Sequence, residues 1–277
     1  MNGSLYIVAT PIGNLGDITQ RAIDILKKVD LIAAEDSRRS RVLLDYFAIS
    51  NNVVSYHEHN EEKQTSQLIE FLKNGKSIAL ISDAGTPLVS DPGYRLVSSA
   101  HDEGITVIPI PGSSAVVTGL SVSGLSCNKF IFEGYLPTRT ISRKKYLKLL
   151  VSEPRTLIFY EAPHRILESI EDMLTVFGSS RLVSITRELT KKHEQISRGT
   201  LSSIKLKIET GEIKNKGEFV ILVEGNSENH IADSEILRIN RILAEKVSSK
   251  DAIKMTAKIT KKKKNDVYKL VMQNDKK

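Results

Sequence analysis

The sequence has no tryptophan, one cysteine and no long run of apolar residues. Because Cys127 stands alone, we expect neither a disulfide framework nor a cysteine-based metal site. An aromatic content of 5% argues against an aromatic stacking platform for single-stranded nucleic acid. No stretch approaches the roughly 18 apolar residues of a membrane span, and no basic leader precedes the short apolar run at the N-terminus. We therefore expect a soluble, cytoplasmic protein with no membrane partner.

Positive charge is concentrated at the C-terminal end of the chain. The whole sequence carries +7, whereas residues 234–277 contain 13 Lys and Arg against 5 Asp and Glu, a net of +8. The remaining residues therefore carry a net charge of −1. A basic end on a near-neutral body favours an acidic partner such as nucleic acid. A plain solvated, lysine-rich surface is the alternative.

Short apolar strands alternate with amphipathic helices from residue 1 to residue 112. The strands, such as LYIVAT and SIALISD, are rich in β-branched residues and do not alternate between polar and apolar positions. This pattern is typical of a parallel sheet that is covered on both faces. It predicts an N-terminal α/β domain, in which Asp91 caps a helix that opens at Pro92.

A second set of elements covers residues 113–225. Here neighbouring strands, such as RLVSITREL and HEQISRGTL, follow one another without a helix between them. This order predicts a second α/β domain with a mixed sheet. The polar residues 226–234 are interpreted as a linker, and residues 234–277 as a small basic helical module.

Three unusual loops follow strands of the first domain: TPIGNLGD, EDSR and SDAGTPLVSDPG. In an open parallel sheet, ligands bind beyond the carboxyl ends of the strands. No G-x-G-x-x-G fingerprint and no P-loop lysine motif accompanies these loops, so a phosphate on a helix N-terminus is not expected. Their prolines and glycines instead fix the backbone close to a ligand, and Asp83 accepts hydrogen bonds from it. Turn chemistry alone is the alternative interpretation.

Six segments, in order from about residue 4 to 225, together resemble a known family. They are LYIVATPIGNLGDIT, EDSR, SDAGTPLVSDPG, YEAPHR, RELTKKHEQISRGTL and KGEFVILVEG. The family is ribosomal RNA small subunit methyltransferase I, of the tetrapyrrole-methylase-like class of S-adenosylmethionine methyltransferases. The resemblance implies two α/β domains with S-adenosylmethionine in the cleft between them, usually in a homodimer. The implied reaction is 2′-O-methylation of a cytidine in the decoding region of small-subunit (16S) rRNA, on the 30S ribosomal subunit.

The resemblance also implies cofactor contacts in the first loop, in the acidic loop, at the seam of the domains and at the end of the LIFYEAP strand. These residues are Pro11, Asp83, Ala84, Gly85, Thr86, Ser114, Ala115 and Tyr160. Ser113 stands where the family usually has proline, so the backbone of PGSSA is expected to be less rigid there.

A ribose hydroxyl is a poor nucleophile, so its methylation gains from a base or a cation that lowers its pKa. Our candidates for catalysis are Glu35, Arg38, Glu161, Arg165 and Glu188, and the further candidates beside them are Asp36, His164, Arg187 and Lys191. An ion-pair network that clamps the two domains together would use the same residue types. Alternatively, Arg38 and Arg165 hold RNA phosphates.

Two other functions remain open at this point. A porphyrinoid or corrinoid methyltransferase of the same fold is one, because fold alone does not choose a substrate. A non-catalytic RNA-binding assembly factor is the other. His57 and His59 are predicted on one side of a strand, and we interpret them as a polar rim because no third ligand at metal spacing is apparent, so no metal site is expected.

Overall fold

The computed structural model describes residues 2–226, 233–260 and 262–274. Its first sheet has five strands in the order β3-β2-β4-β1-β5, and every neighbouring pair is parallel. The strands are β1 Ser4–Val8, β2 Leu31–Ala34, β3 Val53–Ser55, β4 Ile78–Ile81 and β5 Thr106–Ile110. The predicted parallel sheet is confirmed.

Helices cover both faces of this sheet. They are α1 Gln20–Lys28, α2 Ser37–Tyr46, α3 Glu61–Lys73 and α4 Tyr94–Asp102. In β4, Ile78 and Leu80 pack with α3 and α4, whereas Ala79 and Ile81 pack with α1 and α2. Because successive strand residues point to opposite faces, a strand buried on both sides has no polar position, which explains the continuous apolar runs of the sequence.

The predicted capping of α4 by Asp91 is wrong. The residue before the helix is Gly93, with φ of 136°, and no side chain caps the helix. A β-carbon at Gly93 would lie 2.8 Å from Cδ2 of Leu80, so tight packing on β4 requires glycine there. The helix therefore begins after the Asp-Pro-Gly segment, and the Asp91 side chain is free for another role.

The second sheet is mixed, as predicted, with its strands in the order β6-β7-β10-β8-β9. Strands β6 and β7 are parallel, and the other neighbouring pairs are antiparallel. The strands are β6 Phe130–Tyr135, β7 Thr156–Glu161, β8 Leu182–Arg187, β9 Gln195–Thr200 and β10 Phe219–Val223. The accompanying helices are α5 Ala115–Val122, α6 Thr140–Leu149, α7 Ile166–Phe177 and α8 Leu201–Glu209.

An apolar cluster joins the two sheets. Ile12, from the loop after β1, packs with Val116 of α5 and Val220 of β10, and Val89 from the loop after β4 packs against the same cluster. Burial of these side chains holds the loops at the carboxyl edge of the first sheet against the second sheet.

Three C-terminal helices form a separate small core. They are α9 Asp233–Ala244, α10 Ser249–Thr260 and α11 Lys264–Asn274. Ile236, Ile253 and Val267 are buried together within this module. The predicted linker, 226–234, lies mostly outside the described residues. Across the parts of the chain that the structure describes, no helix is long and apolar enough to cross a membrane.

Candidate active site

A cavity of about 570 Å³ lies between the two sheets, at the carboxyl edge of the first. Its walls come from the loops after β1 and β4, from the N-terminus of α5 and from β7, β8 and β10 of the second sheet. Small-molecule sites in proteins occupy roughly 300–1,000 Å³. The cavity therefore has the size and the position expected for a cofactor site in an open α/β sheet.

Backbone hydrogen bonds hold two of the wall loops side by side. The amide of Thr10 donates to the carbonyl oxygen of Gly85 at 2.8 Å, and the amide of Gly85 donates back to Thr10 at 3.0 Å. The hydroxyl of Thr10 also donates to the carbonyl of Ser82 at 3.1 Å. Gly85 adopts a φ of 86°, which only glycine takes without strain. These hydrogen bonds and the conformation of Gly85 therefore fix the backbone of both loops at the edge of the cavity.

Residues other than glycine adopt the left-handed conformation in two loops beside the cavity. Leu88 and Ser90, after β4, have φ of 72° and 66°, and Glu188 and Thr190, after β8, have φ of 52° and 65°. Each such residue costs about 1–3 kcal/mol, and structures retain this strain mostly at functional sites. The sequence gives no signal for these four conformations, because none of the residues is glycine.

Three carboxylates, those of Glu35, Asp83 and Asp91, line one side of the cavity. Asp83 accepts from the amide of Asp36 at 3.1 Å and from Nη1 of Arg39 at 3.0 Å. Glu35 accepts from the amide of Asp83 at 3.4 Å, and its pKa is raised chiefly by burial. Burial, followed by repulsion from Glu35, raises the pKa of Asp91 to about 7. Our sequence analysis assigned Asp91 to a helix cap and not to this site, although Asp91 lies in the acidic loop.

Every residue that the resemblance assigns to the cofactor lines this cavity: Pro11, Asp83, Ala84, Gly85, Thr86, Ser114, Ala115 and Tyr160. Their cofactor contacts stay predictions. Thr186 of β8 also lines the cavity, and among the described residues its buried hydroxyl has no hydrogen-bond partner. The sequence analysis missed Thr186, which is an ordinary strand residue in the sequence.

The predicted catalytic residues do not converge on the cavity. Of these residues, Glu35 lines the cavity, whereas Arg38 is exposed on α2 and its neighbour Arg39 lines the wall instead. Glu161 and Arg165 lie outside the lining, in a buried ion pair of 3.2 Å. Their catalytic roles stay predictions that this geometry does not favour.

Glu188 also lies outside the lining, but it holds a residue that is part of it. Nζ of Lys191 lies 2.9 Å from Oε1 of Glu188 and 2.9 Å from Oε2 of Glu218. The amide of Glu218 donates to the same oxygen of Glu188 at 2.9 Å. Glu188 therefore positions Lys191 at the cavity wall.

A second cavity, of about 180 Å³, adjoins the first. Glu35 and Ser90 line both cavities, and His57 and His59 line the second. Since β3 ends at Ser55, the two histidines follow the strand rather than lie on one side of it. In the described ranges no group of His, Cys, Asp or Glu side chains has an arrangement that could hold a metal ion.

Comparison with known proteins agrees with this architecture. The family described as Tetrapyrrole (Corrin/Porphyrin) Methylases matches residues 4–205, and the RsmI C-terminal HTH domain matches residues 231–275. The ribosomal RNA small subunit methyltransferase I of Vibrio cholerae is 48% identical over 98% of this chain and 94% of its own length. The protein of the same name from Escherichia coli O157:H7 is 44% identical over 98% of this chain and 95% of its own. The chain belongs to the ribosomal RNA small subunit methyltransferase I family.

Solved structures with low sequence identity to this chain share its fold. Diphthine synthase aligns with a TM-score of 0.60 and 14% identity, over 80% of this chain and 90% of its own. Uroporphyrin-III C-methyl transferase from Thermus thermophilus, complexed with S-adenyl homocysteine, aligns with a TM-score of 0.55 and 17% identity, over 81% and 98% of the two chains. The family is S-adenosylmethionine-dependent, so the predicted cofactor is confirmed.

The cavity suits S-adenosylmethionine chemically. This cofactor carries a sulfonium, an ammonium and a carboxylate group, so its net charge is positive and the carboxylates of Glu35, Asp83 and Asp91 favour it. Since the hydroxyl of Thr186 has no hydrogen-bond partner among the residues that the structure describes, it offers a hydrogen bond to a bound polar group. When bound, the cofactor supplies a methyl group on a positively charged sulfur, which is electrophilic.

Proposed function

We propose that the protein methylates the ribose 2′-hydroxyl of a cytidine in the decoding region of small-subunit rRNA, with S-adenosylmethionine as methyl donor. The observation that carries the proposal is the carboxylate-lined cavity of a chain whose relatives are ribosomal RNA small subunit methyltransferases I. A hydroxyl group must lose a proton as it reacts, and a carboxylate at the cavity wall is a suitable acceptor.

The proposed cofactor contacts use fixed backbone more than charged side chains. The paired loops at Thr10 and Gly85 would hold the cofactor at one end, and the backbone at Ser114 and Ala115, where α5 begins, would hold it at the other. Tyr160 would close the side that faces the second sheet. Methyl transfer is an in-line displacement, so this fixed geometry contributes by orienting the donor.

The proposed substrate is rRNA within the 30S ribosomal subunit. The C-terminal helices support this choice, because residues 234–277 carry a net charge of +8 and a helix-turn-helix domain matches residues 231–275. Basic side chains hold nucleic-acid backbones through phosphate contacts. We also propose a homodimer, which is supported by exposed apolar side chains on edge strand β6 and on α6, namely Phe130, Ile141 and Leu149.

Small ribosomal subunits from cells that lack the protein test the proposal directly. The purified protein and S-adenosylmethionine with a labelled methyl group are incubated with these subunits or with uroporphyrinogen. We expect label in the rRNA, recovered after complete digestion as 2′-O-methylcytidine, and a primer-extension stop in the decoding region. Label in a methylated base, or in uroporphyrinogen alone, would overturn the proposal.

Calorimetry separates the enzyme from the non-catalytic assembly factor. We expect a saturable heat of binding when S-adenosylmethionine is titrated into the full-length protein. No binding at millimolar cofactor would favour the assembly factor, because a protein that retains the cleft only as a scaffold has no need of the cofactor.

A further inference from the structure

The proposed reaction needs a proton acceptor, and the structure commits most nearby carboxylates to other partners. Asp83 bonds to the amide of Asp36 and to Arg39, and Glu188 bonds to Lys191. Glu161 is tied to Arg165, and Asp36 accepts from the amide of Arg38. A carboxylate held in an ion pair is a weaker base, because the cation stabilises its charged form.

Asp91 differs from these carboxylates in its surroundings. It lines the cavity, and it forms no ion pair with any described residue. Ser90, in the left-handed conformation, and Pro92, with its fixed φ, flank it.

A second space adjoins the part of the wall that carries Asp91. Ser90 lines both cavities and Pro92 lines the smaller one, so the Ser90–Pro92 segment separates the two spaces. Glu35 is the other residue that lines both. A group that spans the two cavities therefore passes the Ser90–Pro92 segment, which carries Asp91.

We propose that Asp91 is the general base that accepts the proton of the ribose hydroxyl. This inference rests on the proposed function. The hydroxyl oxygen forms a bond to the methyl carbon as the carbon–sulfur bond breaks, the electrons of that bond stay on sulfur, and the proton passes to a carboxylate oxygen of Asp91. No metal or further reactant is needed for this balance.

The charged groups around Asp91 adjust its basicity. Glu35 and Asp83 face it from the first domain, and the hydroxyls of Tyr135 and Tyr160 face it from β6 and β7. Burial and the two carboxylates raise the pKa of Asp91 to about 7, which suits a base that works near neutral pH. A bound sulfonium close by lowers that pKa again, since an opposite charge favours the ionised form. Cofactor binding near pH 7 is then accompanied by proton release.

Kinetics of Asp91→Asn test the proposal on intact small ribosomal subunits. We expect kcat at saturating S-adenosylmethionine to fall about 100-fold or more, with KM for the subunits changed less than about threefold. Kd for the cofactor should rise about fivefold, because asparagine lacks the negative charge that favours the bound sulfonium. Asp91→Glu should recover part of the rate, and the rise of wild-type kcat with pH should be absent in Asp91→Asn. Asp102→Asn, an exposed carboxylate on α4, is the matched control and should keep wild-type kcat.

Proton release on cofactor binding gives a readout that is independent of turnover. Titration calorimetry at pH 7, in buffers that differ in ionisation enthalpy, should show release of up to about half a proton per site in the wild-type protein, because a group of pKa about 7 is half protonated there. Asp91→Asn should bind the cofactor without this release, whereas Asp102→Asn should release as the wild-type protein does.

The results separate this inference from the proposed function. Asp91→Asn with kcat within about threefold of the wild type would overturn the inference, and so would proton release that persists in the variant. Loss of activity that follows entirely from lost cofactor binding would overturn it as well, in favour of a binding role. A different result would overturn the proposed function: the wild-type protein would then give a product that is not methylated on ribose.

Discussion

Thr10 and Gly85 form an antiparallel bridge between two loops that leave parallel strands, with hydrogen bonds of 2.8 and 3.0 Å. The bridge lies one residue from Pro11 and within the Asp83–Thr86 stretch, so it fixes both walls of the proposed cofactor site. Its geometry depends on the positive φ of Gly85. Preorganised backbone of this kind reduces the entropic cost of holding a ligand.

Gly85→Ala should therefore weaken cofactor binding. A β-carbon there meets Cγ2 of Ile12 at 3.4 Å, an ordinary contact, so the cost is backbone strain of about 1–2 kcal/mol. Gly104→Ala is the matched control, since Gly104 has φ of 65° at the end of α4 and nothing within 4 Å of the added carbon. Both variants should lose a few degrees of Tm, but only Gly85→Ala should raise Kd for S-adenosylmethionine, by about fivefold or more. Equal Kd values in calorimetry would contradict the role of the bridge.

Local pattern predicted the strands and helices of the first domain because its parallel strands are buried on both faces. The run at Ile78–Ile81 has no polar position, and such runs bounded by turn residues are legible in sequence. The order of the second sheet was not predictable in the same way. Strand β10 lies between β7 and β8, and local pattern does not record which strands pair over such a distance in sequence.

The candidate site was predictable as a set of loops but not as individual side chains. In β7, Tyr160 faces the cavity, and Glu161 therefore points to the other face of the sheet. Thr186 and Arg187 are also neighbours on one strand, β8, and only Thr186 lines the cavity. A motif such as YEAPHR does not say which of its alternate residues face a ligand. Asp91 was missed because a capping rule assigned it to a helix that begins later, after Gly93.

Asp83→Ala should damage cofactor binding more than folding. Loss of one or two hydrogen bonds to a ligand is worth about 1–3 kcal/mol, or roughly 5- to 150-fold in Kd. Both carboxylate oxygens of Asp83 already have protein partners, but each oxygen accepts a second hydrogen bond. Arg39→Ala is the control, because it removes the ion pair and leaves the carboxylate in place. Since the Arg39 side chain is 75% exposed, Arg39→Ala should lower the free energy of unfolding by at most about 1 kcal/mol. A normal Kd for Asp83→Ala, measured by calorimetry, would show that Asp83 does not contact the cofactor.

The raised pKa of Asp91 has a consequence for stability. Its pKa is about 7 in the folded protein against an ordinary value of 3.8, so between these two pH values the folded state holds a proton that the unfolded state has released. Asp91 therefore destabilises the fold increasingly as pH rises from about 4 to 7, and the effect is constant above that range. Asp91→Asn should gain Tm relative to the wild type across the same interval. Thermal unfolding of both proteins from pH 4 to 8.5 measures the difference, and a difference that does not change with pH would contradict the raised pKa.

Glu161→Gln tests whether the buried pair with Arg165 serves stability or catalysis. The Glu161 side chain is fully buried and also accepts from the hydroxyl of Ser169, so removal of its charge leaves Arg165 without its ionic partner. Breaking a buried pair costs about 3–5 kcal/mol, and we expect a large loss of Tm with kcat of the folded fraction retained. Glu168→Gln, on the exposed side of α7, is the control and should change Tm little. A fall in kcat at unchanged Tm would instead support the catalytic role that we predicted for Glu161 from the sequence.

The last prediction concerns the C-terminal module and its charge. Lys250, Lys254 and Lys258 are exposed and spaced four residues apart, so they share one face of α10. If this face holds rRNA phosphates, changing all three to glutamine should flatten the plot of log affinity for the small subunit against log salt by about 2 to 3 units. Deletion of residues 234–277 should flatten it further and spare cofactor affinity, because the cavity is lined by residues between 10 and 220.

Lys27, Lys28 and Lys63, exposed on α1 and α3, provide a control of equal charge when they are changed to glutamine together. Since any protein of lower net charge binds RNA more weakly, the comparison must be made between slopes and not between single affinities. If α10 contacts phosphates, its triple variant loses those contacts and its slope falls more than that of the control. If the protein attracts RNA only through its net charge, the two triple variants should change the slope equally. Equal slopes for the two triple variants, or a slope for the deletion that matches the full-length protein, would contradict RNA contact by α10 and would leave docking to basic residues of the body such as Arg38 and Arg39.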